Sequence, residues 1–315
     1  MVSQVFNRRL QLRQLYGFDF PEDLFRFWGF INRLAPLEPL TALADTAGLH
    51  LVGPFEVLAG HFDERVAPYH QHLHWRYADD PPEFFTVFTG NVNGLHYGYY
   101  LDDPSAPGGC VAAYYADDAF ELEANCDTLF EAVRLDLEQS DRDCTDLAFT
   151  ESAVQYAAKR EEIARVRATL CSFATGERRE TGEQYIDKYL EIRPARWAGV
   201  VAATHEGMGI VVPPATYRPL SVGDRKLWRA LRKPQERNRL IDEAKSALGE
   251  GFPGTALKLG KELWATRDEQ VRDAACELLE AAYAALGREV LREVLRHHRE
   301  HPHLPYVDIL HVDGG

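Results

Sequence analysis

LHWRYADDPPEFFTVFTGNVNGLHYGYY, residues 73–100, is the stretch on which the fold reading turns. Apolar residues recur at every second position: Leu73, Trp75 and Tyr77, then Phe85 and Val87, then Tyr97 and Tyr99. A period of two puts such residues on one face of a strand. Asn93-Gly94 marks a tight turn, because both residue types accept the positive φ angles it demands. The stretch predicts an antiparallel meander, with one short strand ahead of it at 49–54 and another after it at 111–115.

Helical signals flank this sheet. Pro21 suits the first turn of a helix, and Glu22 and Asp23 suit the positive end of its dipole. Leu24, Phe27, Trp28 and Ile31 follow at i, i+3, i+4 and i+7, a single core-facing stripe. Asp127 caps a second helix in which Leu129, Phe130, Val133 and Leu137 share a face. Residues 138–150 are polar and acidic and place a boundary there. The reading is an N-terminal α+β domain over 1–145 and a C-terminal domain over 146–315. In the latter, 152–170 is a long ion-paired helix, 189–192 and 209–212 are strands, and Pro213, Pro214 and Pro219 hold an extended loop. Helices then follow at 235–248, 255–264, 269–286 and 288–296, with Gly287 as a stop. The fold class is α+β, with an antiparallel sheet in the first domain and a mainly helical second domain.

Composition removes several functions. A length of 315 residues exceeds one ordinary domain of ~150. With 35 Lys and Arg against 49 Asp and Glu, the net charge is −14. That sign argues against broad binding to a phosphate backbone or an anionic membrane, and leaves room only for a local basic patch. No apolar run reaches membrane-spanning length, and Asn7, Arg8, Arg9 and Arg13 interrupt any signal-peptide core. The five cysteines contain no CxxC pair and read as reduced thiols.

Few residues announce chemistry. If extended, His70, His72 and His74 would share one face, a spacing that suits zinc or copper. They also read as ordinary surface or loop histidines, and the assignment is no metal. His297, His298, His301 and His303 read as a helix end where imidazolium is tolerated. No phosphate loop, dinucleotide fingerprint, nucleophile elbow or HExxH is present. The most unusual segment is Gly249-Glu250-Gly251-Phe252-Pro253-Gly254, between two amphipathic helices. Glycines leave Glu250 unscreened, just ahead of a helix N-terminus that favours its ionised form. Such a carboxylate can take a proton or pair with a cation, or simply cap an inter-helix turn. Tyr217 and Arg218, on the proline-stiffened loop, suit a partner-binding surface or a packed ring beside a solvated cation.

Taken together, these stretches resemble the histone PARylation factor family, accessory factors of poly(ADP-ribose) polymerases. The likeness runs through 15–28, 48–60, 73–84 and 207–213, then Tyr217-Arg218 and the Leu-Lys-Leu-Gly-Lys-Glu-Leu-Trp run at 257–264. Only the basic N-terminal tail of the animal members and parts of 140–200 lack a counterpart. The resemblance implies that Glu250 is a general base completing the polymerase active site in trans. It would take the proton of a substrate serine as the serine oxygen attacks the NAD ribose. It further implies a DNA damage response role, a partner contact at Tyr217, Arg218, Gly249 and Phe252, and histone-like serine substrates. The chain would act as a monomer with no cofactor of its own, NAD being held by the partner. A bacterial-type member would work in the cytoplasm and a eukaryotic one in the nucleus. Gly249 stands where animal members have Asp, which bears on partner affinity. The first half also looks like the Smi1/Knr4-type fold, which implies an alternative: an immunity or scaffold module in which Glu250 is dispensable.

Overall fold

The computed structural model describes residues 2–64, 67–116, 122–148, 153–175, 182, 184–187 and 194–310. It is an α+β protein built on one five-stranded sheet. Strands β1 (Leu49–Leu51), β2 (Phe84–Gly90), β3 (Leu95–Tyr100), β4 (Cys110–Tyr115) and β5 (Glu123–Cys126) lie in chain order, each antiparallel to the next. The β2–β3 turn carries Asn93 at φ 49° and Gly94 at φ 64°, the left-handed pair that its dipeptide demands. Helices Glu22–Leu34 and Leu129–Ala148 cover one face of the sheet, burying Leu24, Phe27, Ile31, Leu129, Val133 and Leu137.

The meander begins later than the alternation suggested. Gln71–Leu73 is a 3₁₀ turn, and Trp75 has φ 54°. The Arg76 guanidinium donates to the carbonyls of His72 (3.1 Å), Pro81 (2.9 Å) and Phe84 (2.6 Å). These bonds curl residues 72–81 around one buried cation, so the extended ladder starts only at Phe84. The polar stretch after Leu137 likewise stays helical, to Ala148. Glu138 is fully buried there and paired with Arg167 at 2.8 Å. The strand expected at 189–192 lies outside the described residues.

The second half is helical around a two-stranded ribbon, β6 (Val200–Ala202) and β7 (Ile210–Val211). Its helices are Asp224–Leu231, Pro234–Gly249, Pro253–Ala265, Glu269–Leu286 and Glu289–Glu300. Gly287 at φ 72° ends the fourth. The Pro253–Ala265 helix is the axle of this half, with every residue from Pro253 to Trp264 buried. Two of them are lysines. Lys258 Nζ lies 2.9 Å from Glu262 and 3.1 Å from Asp224. Lys261 Nζ lies 2.9 Å from Glu206 and 3.6 Å from Glu83, and also contacts the Tyr100 hydroxyl. Burial alone would lower the Lys261 pKa, and the carboxylates of Glu206 and Glu83 more than reverse this. Tyr283 donates to Glu83 at 2.8 Å, so the start of β2 is fastened to two helices of the second half.

Most buried apolar residues, from Leu12 to Leu295, belong to one large cluster, and a smaller one gathers Phe84, Tyr100, Tyr114, Leu122 and Met208. All five cysteines are free thiols, and four of them are buried. Among the described residues, no helix is long and apolar enough to cross a membrane.

Lys261→Met keeps the length of the stem but leaves Glu206 and Glu83 without their cation. Breaking a buried pair from one side costs about 3–5 kcal/mol. Urea unfolding of this variant should show a loss of that order; a loss near zero would remove the pair from the account.

Candidate functional site

The turn at 249–252 follows from local chemistry. Ala244 and Ala247 face the core on the Pro234–Gly249 helix, and Pro253 starts the next helix at a position that needs no N–H. Between them, the N–H of Glu250 reaches the carbonyls of Ser246 (3.0 Å) and Ala247 (3.1 Å), and that of Phe252 reaches Ala247 at 2.9 Å. Gly251 has φ 91°, a left-handed closure of the kind that ends helices. Glu250 is therefore the C-cap of the preceding helix. It also stands three residues ahead of Pro253, where the next helix starts, as the sequence suggests.

The carboxylate is exposed and held at both oxygens. Arg218 Nη1 donates to Oε2 at 2.6 Å, and the Ser246 hydroxyl donates to Oε1 at 3.0 Å. The Arg218 hydrogen bond, followed by that of Ser246, holds the Glu250 carboxyl below the usual glutamate range. The Arg218 pKa is raised in return, chiefly by its bond to Glu250. The guanidinium lies over the Phe252 ring, with Cζ 4.7 Å from its centre, a cation–π contact.

The loop that supplies Arg218 is clamped to the start of the Pro253–Ala265 helix. Thr255 Oγ1 accepts from the Arg218 N–H at 3.0 Å and donates to its carbonyl at 2.6 Å. A Cβ on Gly254 would lie 2.9 Å from Val212, 3.0 Å from the Thr216 carbonyl and 3.2 Å from Tyr217. Only glycine lets the loop approach so closely. Tyr217 is half-buried against the core, and burial pushes its phenol pKa up.

All five residues singled out by sequence thus share one surface: Glu250, Arg218 and Phe252 in contact, Tyr217 beside Arg218, and Gly249 adjoining Glu250 on an exposed edge. A Cβ on Gly249 would meet nothing within 4 Å. Sequence reading missed Ser246 and Thr255. Ser246 stands four residues before Glu250, one helical turn away on the same face, which was the available signal.

The histidines do not assemble as an extended run. His70 caps the 3₁₀ turn through Nδ1 and stacks on His297 with centroids 3.8 Å apart. His72 is buried. Burial, then the neighbouring His297, takes the His70 pKa down to about 4, and burial, then His70, takes that of His72 to about 2. His298 is also buried, its Nε2 2.9 Å from the Ala78 carbonyl and its pKa pushed down to about 3 by burial. It is a neutral core imidazole rather than an exposed imidazolium at a helix end. Among the described residues, Glu56, His74 and Asp308 are the one group whose donor atoms could surround a cation. Glu56 Oε2, however, already accepts from Gly53, Trp75 and His74, which accounts for this group as a hydrogen-bonding hub.

Comparison with known proteins adds a name to this geometry. The family model of Histone PARylation factor 1 matches residues 7–301. Histone PARylation factor 1 of Mus musculus is 29% identical over 310 residues, spanning 92% of this chain and 85% of the relative. That of Danio rerio is 29% identical over 308 residues, spanning 92% and 84%. The putative histone PARylation factor 1-like protein of Homo sapiens is 26% identical over 312 residues, spanning 92% and 85%.

Two outcomes follow from this geometry. Arg218→Ala should raise the Glu250 pKa back toward the ordinary glutamate value, read by carboxyl-carbon NMR titration. An unchanged value would mean that Arg218 does not hold the carboxylate in solution. Gly249→Asp should change unfolding stability by no more than about 0.5 kcal/mol, as expected of an open surface site; a larger loss would show that the edge is packed.

Proposed function

Because the chain belongs to the histone PARylation factor 1 family, we propose that it binds a poly(ADP-ribose) polymerase catalytic domain and lends it Glu250 as a general base. The observation that carries this reading is the exposed Glu250 carboxylate, fixed at both oxygens on a rigid turn. A serine hydroxyl does not ionise at neutral pH and needs a base to attack, whereas Asp and Glu acceptors are already anions. The base therefore directs modification to serine. In the step itself, the serine oxygen bonds to C1 of the NAD ribose, nicotinamide departs, and the hydroxyl proton passes to Glu250.

Arg218 gives this base a resting state. A carboxylate paired with a guanidinium has a lowered pKa and accepts protons weakly. A partner or substrate that draws Arg218 away raises the Glu250 pKa and strengthens it. Tyr217, Arg218, Phe252 and the open edge at Gly249 form the contact surface around the base. The fold carries no dinucleotide fingerprint, and the reading assigns NAD to the partner. Substrates are serines of histone-like proteins.

The test is ADP-ribose transfer to a serine peptide by a polymerase catalytic domain, with no addition, with wild type and with Glu250→Gln. Wild type should switch on serine labelling, and Glu250→Gln should reduce it by at least ~10²-fold, the usual scale of general-base catalysis. Serine labelling that Glu250→Gln supports as well as wild type would overturn the reading.

A further inference from the structure

A basic stripe stands beside Glu250 in an otherwise acidic protein. Residues 218–239 contain eight Lys or Arg and only two acidic residues, in a chain of net charge −14. Helix Asp224–Leu231 turns Leu227, Ala230 and Leu231 into the core. Its outer face and cap carry Arg225, Arg229 and Arg232 at i, i+4 and i+7, with Lys226 alongside, all exposed. Among the described residues, none of these four has a carboxylate within ion-pair distance, whereas Lys233, Arg237 and Arg239 just beyond are paired with Glu236, Asp268 and Glu243. Four adjacent like charges without counter-charges cost self-repulsion, which an anionic partner relieves.

An aromatic ring borders the stripe. Trp228 stacks on His205 with centroids 3.8 Å apart, and Arg232 Cζ lies 5.7 Å from its ring. Cations interleaved with an indole suit a chain of phosphates and bases better than the carboxylates of an acidic protein. The stripe also flanks the helix that positions the base. Asp224, at its start, lies 3.1 Å from Lys258 on the Pro253–Ala265 helix, and six residues separate Arg218 from Arg225.

We propose that Arg225, Lys226, Arg229 and Arg232, with Trp228, form a docking track for the phosphate-rich ADP-ribose chain. This rests on the functional reading above, which places synthesis of that chain at the adjacent Glu250; that adjacency selects it over other polyanions. Pyrophosphates pair with the arginine forks and adenines pack on the indole. The track holds a modified acceptor near the composite site after the first unit is attached.

The experiment needs no polymerase. Purified, labelled poly(ADP-ribose) is titrated with this protein by fluorescence anisotropy over a range of salt. The variant is Arg225→Ala/Arg229→Ala/Arg232→Ala, with circular dichroism confirming that the alanine-tolerant helix remains. The wild type should bind, and the variant should lose at least ~10-fold. Its slope of log affinity against log salt should shrink by about 2, from three contacts at ~0.7 each on a single strand. Glu250→Gln should bind as wild type does, so that loss of the track and loss of the base read out separately. No wild-type binding, or a variant that binds equally well, would overturn the proposal. Single-stranded DNA of equal phosphate number binding as tightly as the polymer would also overturn it, because the stripe would then respond to charge alone.

Discussion

Lys261 is held out of water with its ammonium between Glu206 and Glu83, and much of the molecule is arranged around that fact. A buried lysine is tolerable only with counter-charges at contact distance. Those counter-charges come from opposite sides: Glu83 precedes β2, while Glu206 sits in the β6–β7 connection. Tyr283 closes the arrangement by donating to Glu83. The Pro253–Ala265 helix thereby acquires a fixed position against the sheet. Lys258, one turn earlier, secures the same helix to Asp224 and Glu262.

What this helix fixes at its N-terminal end is the surface that carries Glu250. Gly254 admits the 213–217 loop to backbone contact, Thr255 binds Arg218 in both directions, and Arg218 reaches the carboxylate of Glu250. A side chain placed by such a chain of contacts is pre-organised. Glu250, though exposed, is paired with Arg218, which keeps its carboxyl below the usual glutamate range. In the function proposed above, the base gains strength only where a partner rearranges the pair.

Much of this was legible in the sequence, and the exceptions have physical causes. Turn dipeptides and strong periodicities read correctly: Asn93-Gly94 lies in the β2–β3 turn, and the Leu24, Phe27, Trp28, Ile31 stripe is buried. The five residues chosen as a site fall on one surface because four of them bracket chain turns, where local signals are strongest. The failures involve polar groups that fold inward. Trp75 and Tyr77 alternate like a strand, but Arg76 curls the segment around itself. Nothing local in 138–148 reveals that Glu138 meets Arg167 in the interior. Lys261 looks like part of the solvated face of an amphipathic helix, since Glu206 and Glu83 lie far away in sequence. Long-range ion pairs leave no periodic trace, and burial of charge is what sequence patterning reads least well.

Hydrogen exchange of this chain with and without a poly(ADP-ribose) polymerase catalytic domain tests the central claim most directly. The account predicts that the partner slows exchange at the 213–218 loop and the 249–253 turn, with the sheet of the first half unchanged. Protection confined to that sheet, with the turn exchanging as it does in the free protein, would contradict it and place the working surface on the first half.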